Sequence, residues 1–418
     1  MTAIVGFMNK HGVAVAADSA VTLGNTHKVV NTGNKIFTLS KYAPVGIATY
    51  GNTSLMDTPW EIIIKLYRKH LGHNKLDTLE QYISSFIKYL HDEKFFTTEE
   101  SQRRILHQRA IFFYNKSVEN SQKIAGYKKS LASEYLAQEL DRCKQINAKD
   151  VQFPEMQSYK YTQFLAYFRT LFEANLAGFP LLATTELQNA FLQSFYQYLV
   201  AGVTYASDSG LVFFGYGEKE IYPSMANIVV ADSFDRQLRY LRLKGNSGVV
   251  TPDGSTAWVI PYAQVDVAQT IIRGINPAFL DILRGSFLSI LNGYRQTLLS
   301  KLSQNGNSTK AIDAILSVNN EEIAQQFVNN ATVQFKMYYT DPLINTVASL
   351  SKEDMANLAE SLVELTSLVR RMSPAEETVG GPVDVAVISK GDGFIWLKRK
   401  LYFDPQLNTN FITNYNND

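Results

Sequence analysis

The chain has 418 residues, and its 40 Lys+Arg stand against 39 Asp+Glu, so a net charge of +1 implies neither a nucleic acid nor an acidic membrane surface as partner. Hydrophobic residues make up 45%, enough for a large core, and the length suits two or three domain-sized units or one enlarged domain. Cys143 is the single cysteine, which excludes an intramolecular disulfide and points to a reducing, cytoplasmic compartment. No apolar run reaches the ~18 residues of a membrane helix, and no charged segment leads into an apolar one at the start, so neither a membrane span nor a signal peptide is expected.

The chain opens on two apolar runs, residues 2–8 and 12–18, which predict two short strands covered on both faces. The turn between them is Asn9-Lys10-His11-Gly12, with the glycine free to take a positive φ. Residues 35–39 and 45–50 predict two more strands, and the polar stretch 23–34 between reads as a loop. After Gly51 the period changes: Trp60, Ile63, Ile64, Tyr67 and Leu71 recur at helical spacing, and residues 60–200 read as a mainly helical insertion. Strand character returns at 202–205, 210–217, 228–231, 238–243 and 257–260. A second helical block covers 264–372, with a polar interruption at 304–308, and closing strands fall in 376–405. Sheets covered by helical blocks account for this order, and the class is α+β in one enlarged domain spanning 1–418.

Three pieces carry a resemblance: Thr2-Ala-Ile-Val-Gly; Gly12-Val-Ala-Val-Ala-Ala-Asp18-Ser; and Thr22-Leu-Gly-Asn-Thr26. Together they resemble the opening of proteasome β-type subunits, in particular the peptidase subunit of the bacterial two-component protease. Gly380-Gly381-Pro382-Val383-Asp384-Val385 and the last hairpin fit the same pattern. The similarity covers about half the chain in pieces, and the helical blocks look like insertions.

That resemblance implies a four-layer αββα N-terminal-nucleophile sandwich and a threonine-type peptidase or amidohydrolase. Thr2 would be the nucleophile once Met1 is removed, Asp18 the buried aspartate, Lys35 the lysine and Gly51 the oxyanion N–H donor. Lys35 is reached with one extra loop residue. Ser233 in Ala231-Asp232-Ser233 is the nearest match to the family's serine, without its Gly-Ser-Gly context. Glu377-Thr378-Val379 stands where the family has Asp-x-x-Ser. The implied partners are a peptide or protein substrate, further copies of the chain because the family builds rings, and an ATPase unfoldase. No cofactor or metal is implied. A non-catalytic assembly protein on the same fold, and small-molecule amide hydrolysis, are the competing readings.

The chemistry asks for an activated hydroxyl, a proton acceptor and a donor to the oxyanion. A free Thr2 supplies the first two, because its α-amine has an ordinary pKa near ~8. A lysine ammonium nearby favours the neutral amine, and an aspartate compensates that lysine. Other candidates are weaker. His70 and His73 share a helical turn, and His91 and His107 lie on the same block, but packed or solvated histidines explain them better than zinc. Gly215-Tyr216-Gly217 precedes no helix and reads as a hairpin turn, and Lys398-Arg399-Lys400 is too short for nucleic acid.

Overall fold

The computed structural model describes residues 2–23, 28–93, 98–203, 208–304, 309–373, 379–401, 403–410 and 413. The sequence readings on Met1, Gly24–Thr26, 204–205, 305–308 and Glu377-Thr378 lie outside these residues. In chain order, β1 (Ala3–Asn9) and β2 (Gly12–Ala17) form a hairpin, and every residue of both is buried. Valine and alanine on both faces of the pleat leave no side for water. Gly12 sits in the ladder opposite Asn9, so the positive-φ turn expected of it does not form. The Asn9 side chain closes the turn instead, its Oδ1 accepting the His11 N–H at 2.8 Å.

The stretch read as a loop holds β4 (Lys28–Val30), which pairs with β3 (Val21–Leu23) at its start. Its valines favour extended backbone over a free loop. β5 (Ile36–Thr38) pairs with β6 (Val45–Gly51), and β7 (Ser54–Leu55) with β8 (Thr58–Pro59). Six helices follow: α1 (Trp60–Leu71), α2 (Leu79–Asp92), α3 (Glu99–Gln122), α4 (Ala132–Asn147), α5 (Tyr161–Ala174) and α6 (Thr185–Val200). Thr78, Thr98 and Thr184 cap α2, α3 and α6 through their side chains.

Gly202 and Val203 are not in a strand; β9 (Ser209–Gly215) is the next one. β10 (Ser224–Phe234), β11 (Gln237–Arg242), β12 (Gly248–Val249) and β13 (Ala257–Ala263) follow. The second helical block is α7 (Asp266–Arg273), α8 (Pro277–Gln304), α9 (Thr309–Leu316), α10 (Asn320–Phe335), a π-turn at Lys336–Thr340, α11 (Asp341–Val347) and α12 (Lys352–Met372). β14 (Asp384–Ser389) and β15 (Gly393–Lys398) close the chain.

The chain divides into two compact units, the first made of residues 1–33, 249–387 and 395–418, the second of 34–248 and 388–394. The first unit is built on the sheet β13-β1-β2-β14-β15, in which β1 is an interior strand and pairs antiparallel with both neighbours. Its core sets Val5, Phe7, Ala14 and Ala16 against Met355, Ala356, Ala359 and Val363 of α12, which recur at the spacing of one helix face. The second unit is built on β11-β10-β9-β6-β5. One core packs this sheet under α1 and α2; another, dominated by Phe164, Phe168, Phe172, Phe191 and Phe195, lies among α3 to α6. The molecule is therefore α+β with antiparallel sheets.

Candidate active site

Thr2 stands one residue before β1 and is 5% exposed. The β13–β1 register ends at Ala3↔Ala263, and the next bond of that ladder runs from Gln264 N–H to Thr2 O at 3.1 Å. On the other side, β2 ends at Ala17 opposite Ile4, which brings Asp18 opposite Ala3. The Asp18 N–H donates to Ala3 O at 3.2 Å, and the Ala3 N–H donates to Asp18 Oδ1 at 2.9 Å. Asp18 Oδ2 accepts from Ala20 N–H and Gly380 N–H, both at 3.1 Å. The carboxylate is 1% exposed, and three backbone donors meet the need that burial creates.

The stretch 380–382 is tied into the same corner. Ser19 N–H donates to Gly380 O at 3.0 Å, and Ser19 Oγ–H donates to Pro382 O at 2.5 Å. Gly381 has φ +74°, and a Cβ there would come within 2.7 Å of Asn31 Cβ, so the glycine is required by both conformation and space. The Gly-Gly-Pro run that supported the resemblance thus has a local reason: it lets two distant segments meet at Asp18.

Gln264 is the residue that sequence reading missed. It is 9% exposed and follows Ala263, whose φ of +63° turns the chain out of β13 toward α7. Arg370 of α12 donates to Gln264 Oε1 and to Asp266 Oδ1, fixing the side chain of the residue whose main-chain N–H meets Thr2. By sequence, 257–260 read as a strand and 264 as the start of a helical block, and nothing in those residues marks this strand as the one beside β1.

Lys35 and Gly51 belong to the second unit. Lys35 precedes β5, is 4% exposed, and its carbonyl accepts the Thr49 N–H at 2.8 Å. Gly51 ends β6 opposite Ser209 of β9, with φ +77°. The turn after it is held by Asn52 N–H to Asp208 O at 3.3 Å and by Ser209 Oγ–H to Asn52 O at 3.2 Å. Before it, the Tyr50 ring lies over Gly210, where a Cβ would be 2.0 Å from the ring. Burial pushes the Tyr50 phenol above its usual pKa, against a bond from Asn227 that lowers it.

Asp208 also accepts from Arg109 at 3.1 Å, and Arg109 Nε reaches Asp232 Oδ2 at 2.9 Å. Arg239 grips Asp232 with two bonds, at 2.7 and 2.8 Å. Burial works against the Asp232 charge, but the two guanidiniums outweigh it and hold the carboxyl down at about 2. Ser233, on β10 opposite Leu238, faces a surface cavity of about 440 Å³ shared with His91, Gln102 and Arg236. Each of the two units therefore holds two of the four residues nominated from the sequence.

Three of the four histidines named from the sequence pack against rings, and the exposed His91 faces Asp92 at 3.4 Å. His73 stacks on Tyr42 at 4.0 Å, His70 lies 5.0 Å from Tyr89, and His107 meets Phe179 edge-on, its pKa lowered by burial. Among the described residues no group of three or more His, Cys, Asp or Glu is gathered as a metal site. Nor, among them, is any helix long and apolar enough to cross a membrane.

No protein-family model matches the chain, and no curated protein matches it. Among solved structures it is similar to the helical assembly of the Anbu complex from Pseudomonas aeruginosa, at 11% identity over 99% of this chain and 94% of that one, with a TM-score of 0.33. It is similar to Anbu from Hyphomicrobium sp. strain MC1, at 11% identity over 99% and 95%, with a TM-score of 0.32. A third is Anbu (ancestral beta-subunit) from Yersinia bercovieri, at 9% identity over 99% and 94%, with a TM-score of 0.29.

Proposed function

We propose that the chain is a threonine-type N-terminal-nucleophile hydrolase on the αββα plan, cleaving a peptide or amide bond with Thr2 after loss of Met1. The observation that supports this best is the corner at the head of β1. Thr2 is buried just ahead of an interior strand, with its carbonyl held by Gln264 and the next amide held by the Asp18 carboxylate. A nucleophile needs a fixed backbone, and both bonds restrict Thr2 without consuming its hydroxyl.

In this mechanism Thr2 Oγ attacks the substrate carbonyl, and its proton passes to the Thr2 α-amine, directly or through a water. The amine delivers that proton to the departing nitrogen. An ester of Thr2 forms, and water then hydrolyses it by the reverse proton path. Lys35 is assigned the part of keeping the α-amine neutral, Asp18 that of balancing the lysine, and the Gly51 N–H that of holding the oxyanion. Peptides or proteins are the proposed substrates, and the cytoplasm the proposed compartment.

Intact mass decides the first requirement: the native protein should lack Met1. A threonine-directed electrophile should then label wild type and Thr2→Ser but not Thr2→Ala. Retained Met1 would block the amine as an amide and favour a non-catalytic assembly protein. Labelling that persists in Thr2→Ala would move the nucleophile elsewhere.

A further inference from the structure

The second helical block carries a surface that the chemistry at Thr2 does not use. α8 is 28 residues long, yet none of residues 277–303 is buried. One side of α8 packs on α10: Phe287 stacks on Phe327 with ring centroids 4.6 Å apart, and Asn320 Nδ2 donates to Asn292 Oδ1 at 2.9 Å. The rest of the hairpin is open and apolar. Ile282, Ile290, Tyr294, Val333, Met337 and Tyr338 are each 50% to 67% exposed. A Cβ added at Gly285 or Gly293 would meet nothing within 4 Å, so the chain leaves this side of α8 uncovered.

Charge is sparse in the same place. Residues 282–300 contain only Arg284 and Arg295, and residues 323–338 only Lys336. At the chain-wide 19% charged, a stretch of that combined length would hold about seven. Both arginines are spent inside the hairpin, Arg284 on Glu321 at 3.1 Å and Arg295 on the Val318 carbonyl. What α10 presents alongside its apolar residues is amides: Gln325, Gln326, Asn329, Asn330 and Gln334 are exposed.

We propose that the α8–α10 hairpin is the face through which two copies of this chain pair about a twofold axis. The six large side chains present on the order of 700 Å² of apolar surface, above the ~300–600 Å² of an ordinary monomer's largest patch and near the ~800 Å² each partner buries in a stable complex. Depletion of charge is the mark of the centre of such an interface. A nucleic acid or an anionic bilayer needs a cluster of free cations, whereas this face has Lys336 beside two arginines already engaged, and a charged polypeptide would bury its charges unpaired. The same face on a second copy has neither problem. Its aliphatic and aromatic residues bury one another, and each amide can both donate to and accept from its symmetry mate.

Sedimentation velocity of the full chain tests this. Wild type is expected to sediment as an even-numbered assembly, and Ile290→Glu/Tyr294→Glu at half that mass or less with an unchanged far-ultraviolet circular dichroism spectrum. Both positions are exposed in the single chain, so the variant keeps its core. Val151→Glu and Ile221→Glu, at positions 73% and 75% exposed elsewhere, are expected to keep the wild-type mass. A monomeric wild type, an unchanged mass in the double variant, or an equal loss in the controls would overturn the pairing. None of these outcomes depends on whether Thr2 is active.

Discussion

Two buried aspartates anchor the two units, and their settings differ. Asp18 in the first unit accepts three backbone N–H groups, from Ala3, Ala20 and Gly380. Asp232 in the second is gripped by the guanidiniums of Arg239 and Arg109. The first setting fixes the course of the main chain around Thr2. The second cross-links side chains of α3, β10 and β11 inside a core, with Arg239 also lying over Phe153 and Phe234. The lesson is that burial of a carboxylate does not by itself mark function; what it holds in place does.

Under the proposed function the Asp18 corner serves chemistry and the Asp232 cluster stability, and that division can be broken by substitution. The largest expected effect is Thr2→Ala, which should lower hydrolysis by ~10⁴-fold or more and leave the denaturant midpoint within error. An equal loss of stability would make the corner structural. Next is Arg239→Met, which leaves Asp232 short of its main partner; unfolding free energy should drop by about 3–5 kcal/mol by urea titration, with Met1 removal unaffected.

Asp18→Asn comes third. One of its two oxygens becomes an NH₂ facing backbone donors, so stability should fall by about 3 kcal/mol and activity with it. Activity retained at full level in a folded Asp18→Asn would sever Asp18 from the mechanism.

Acid titration separates the two settings further. The folded carboxyl of Asp232 is depressed to about 2 from an ordinary value of 3.8. A depressed folded pKa stabilises the native state above the unfolded value, and the gain is lost as pH falls through the folded one. The cluster should therefore contribute ~2 kcal/mol above pH ~4 and lose it between pH ~4 and ~2. Wild type and Asp232→Asn, compared by urea titration across that window, should converge at its acid end. The smallest effect is expected from Arg370→Met, about 1 kcal/mol, because it frees Gln264 but leaves the main-chain bond to Thr2. A larger fall in kcat than in stability would make Arg370 a positioning residue for Thr2.

The two helical blocks looked alike in sequence, since each is a run of apolar residues at helical spacing between strands. Phe164, Phe168 and Phe172 recur every four residues and find Phe191 and Phe195 to pack against, so the first block carries its own core. Phe279, Ile290 and Tyr294 are as apolar, yet stand 48% to 66% exposed. Periodicity says that a face is apolar; it does not say what will cover it. The site shows the same limit. Thr2 and Asp18 could be nominated through the resemblance because the strand, turn and strand that carry it are local. Gly380 is 362 residues from Asp18, and Gln264 follows a strand whose place beside β1 has no mark in its residues.

The sequence by itself determined the two ends of the molecule: β1, β2, β14 and β15 fall where unbroken apolar runs place them, because side-chain alternation and burial are read within a few residues. It also determined the helical character of the blocks between. Tertiary structure alone decided that β13 lies beside β1, that Gly380 joins the Asp18 corner, that the Gln264 N–H meets Thr2, and that Arg370 meets Gln264. The reason is that backbone donors and acceptors are alike at every residue, so their pairing is chosen by which distant strands and helices pack together.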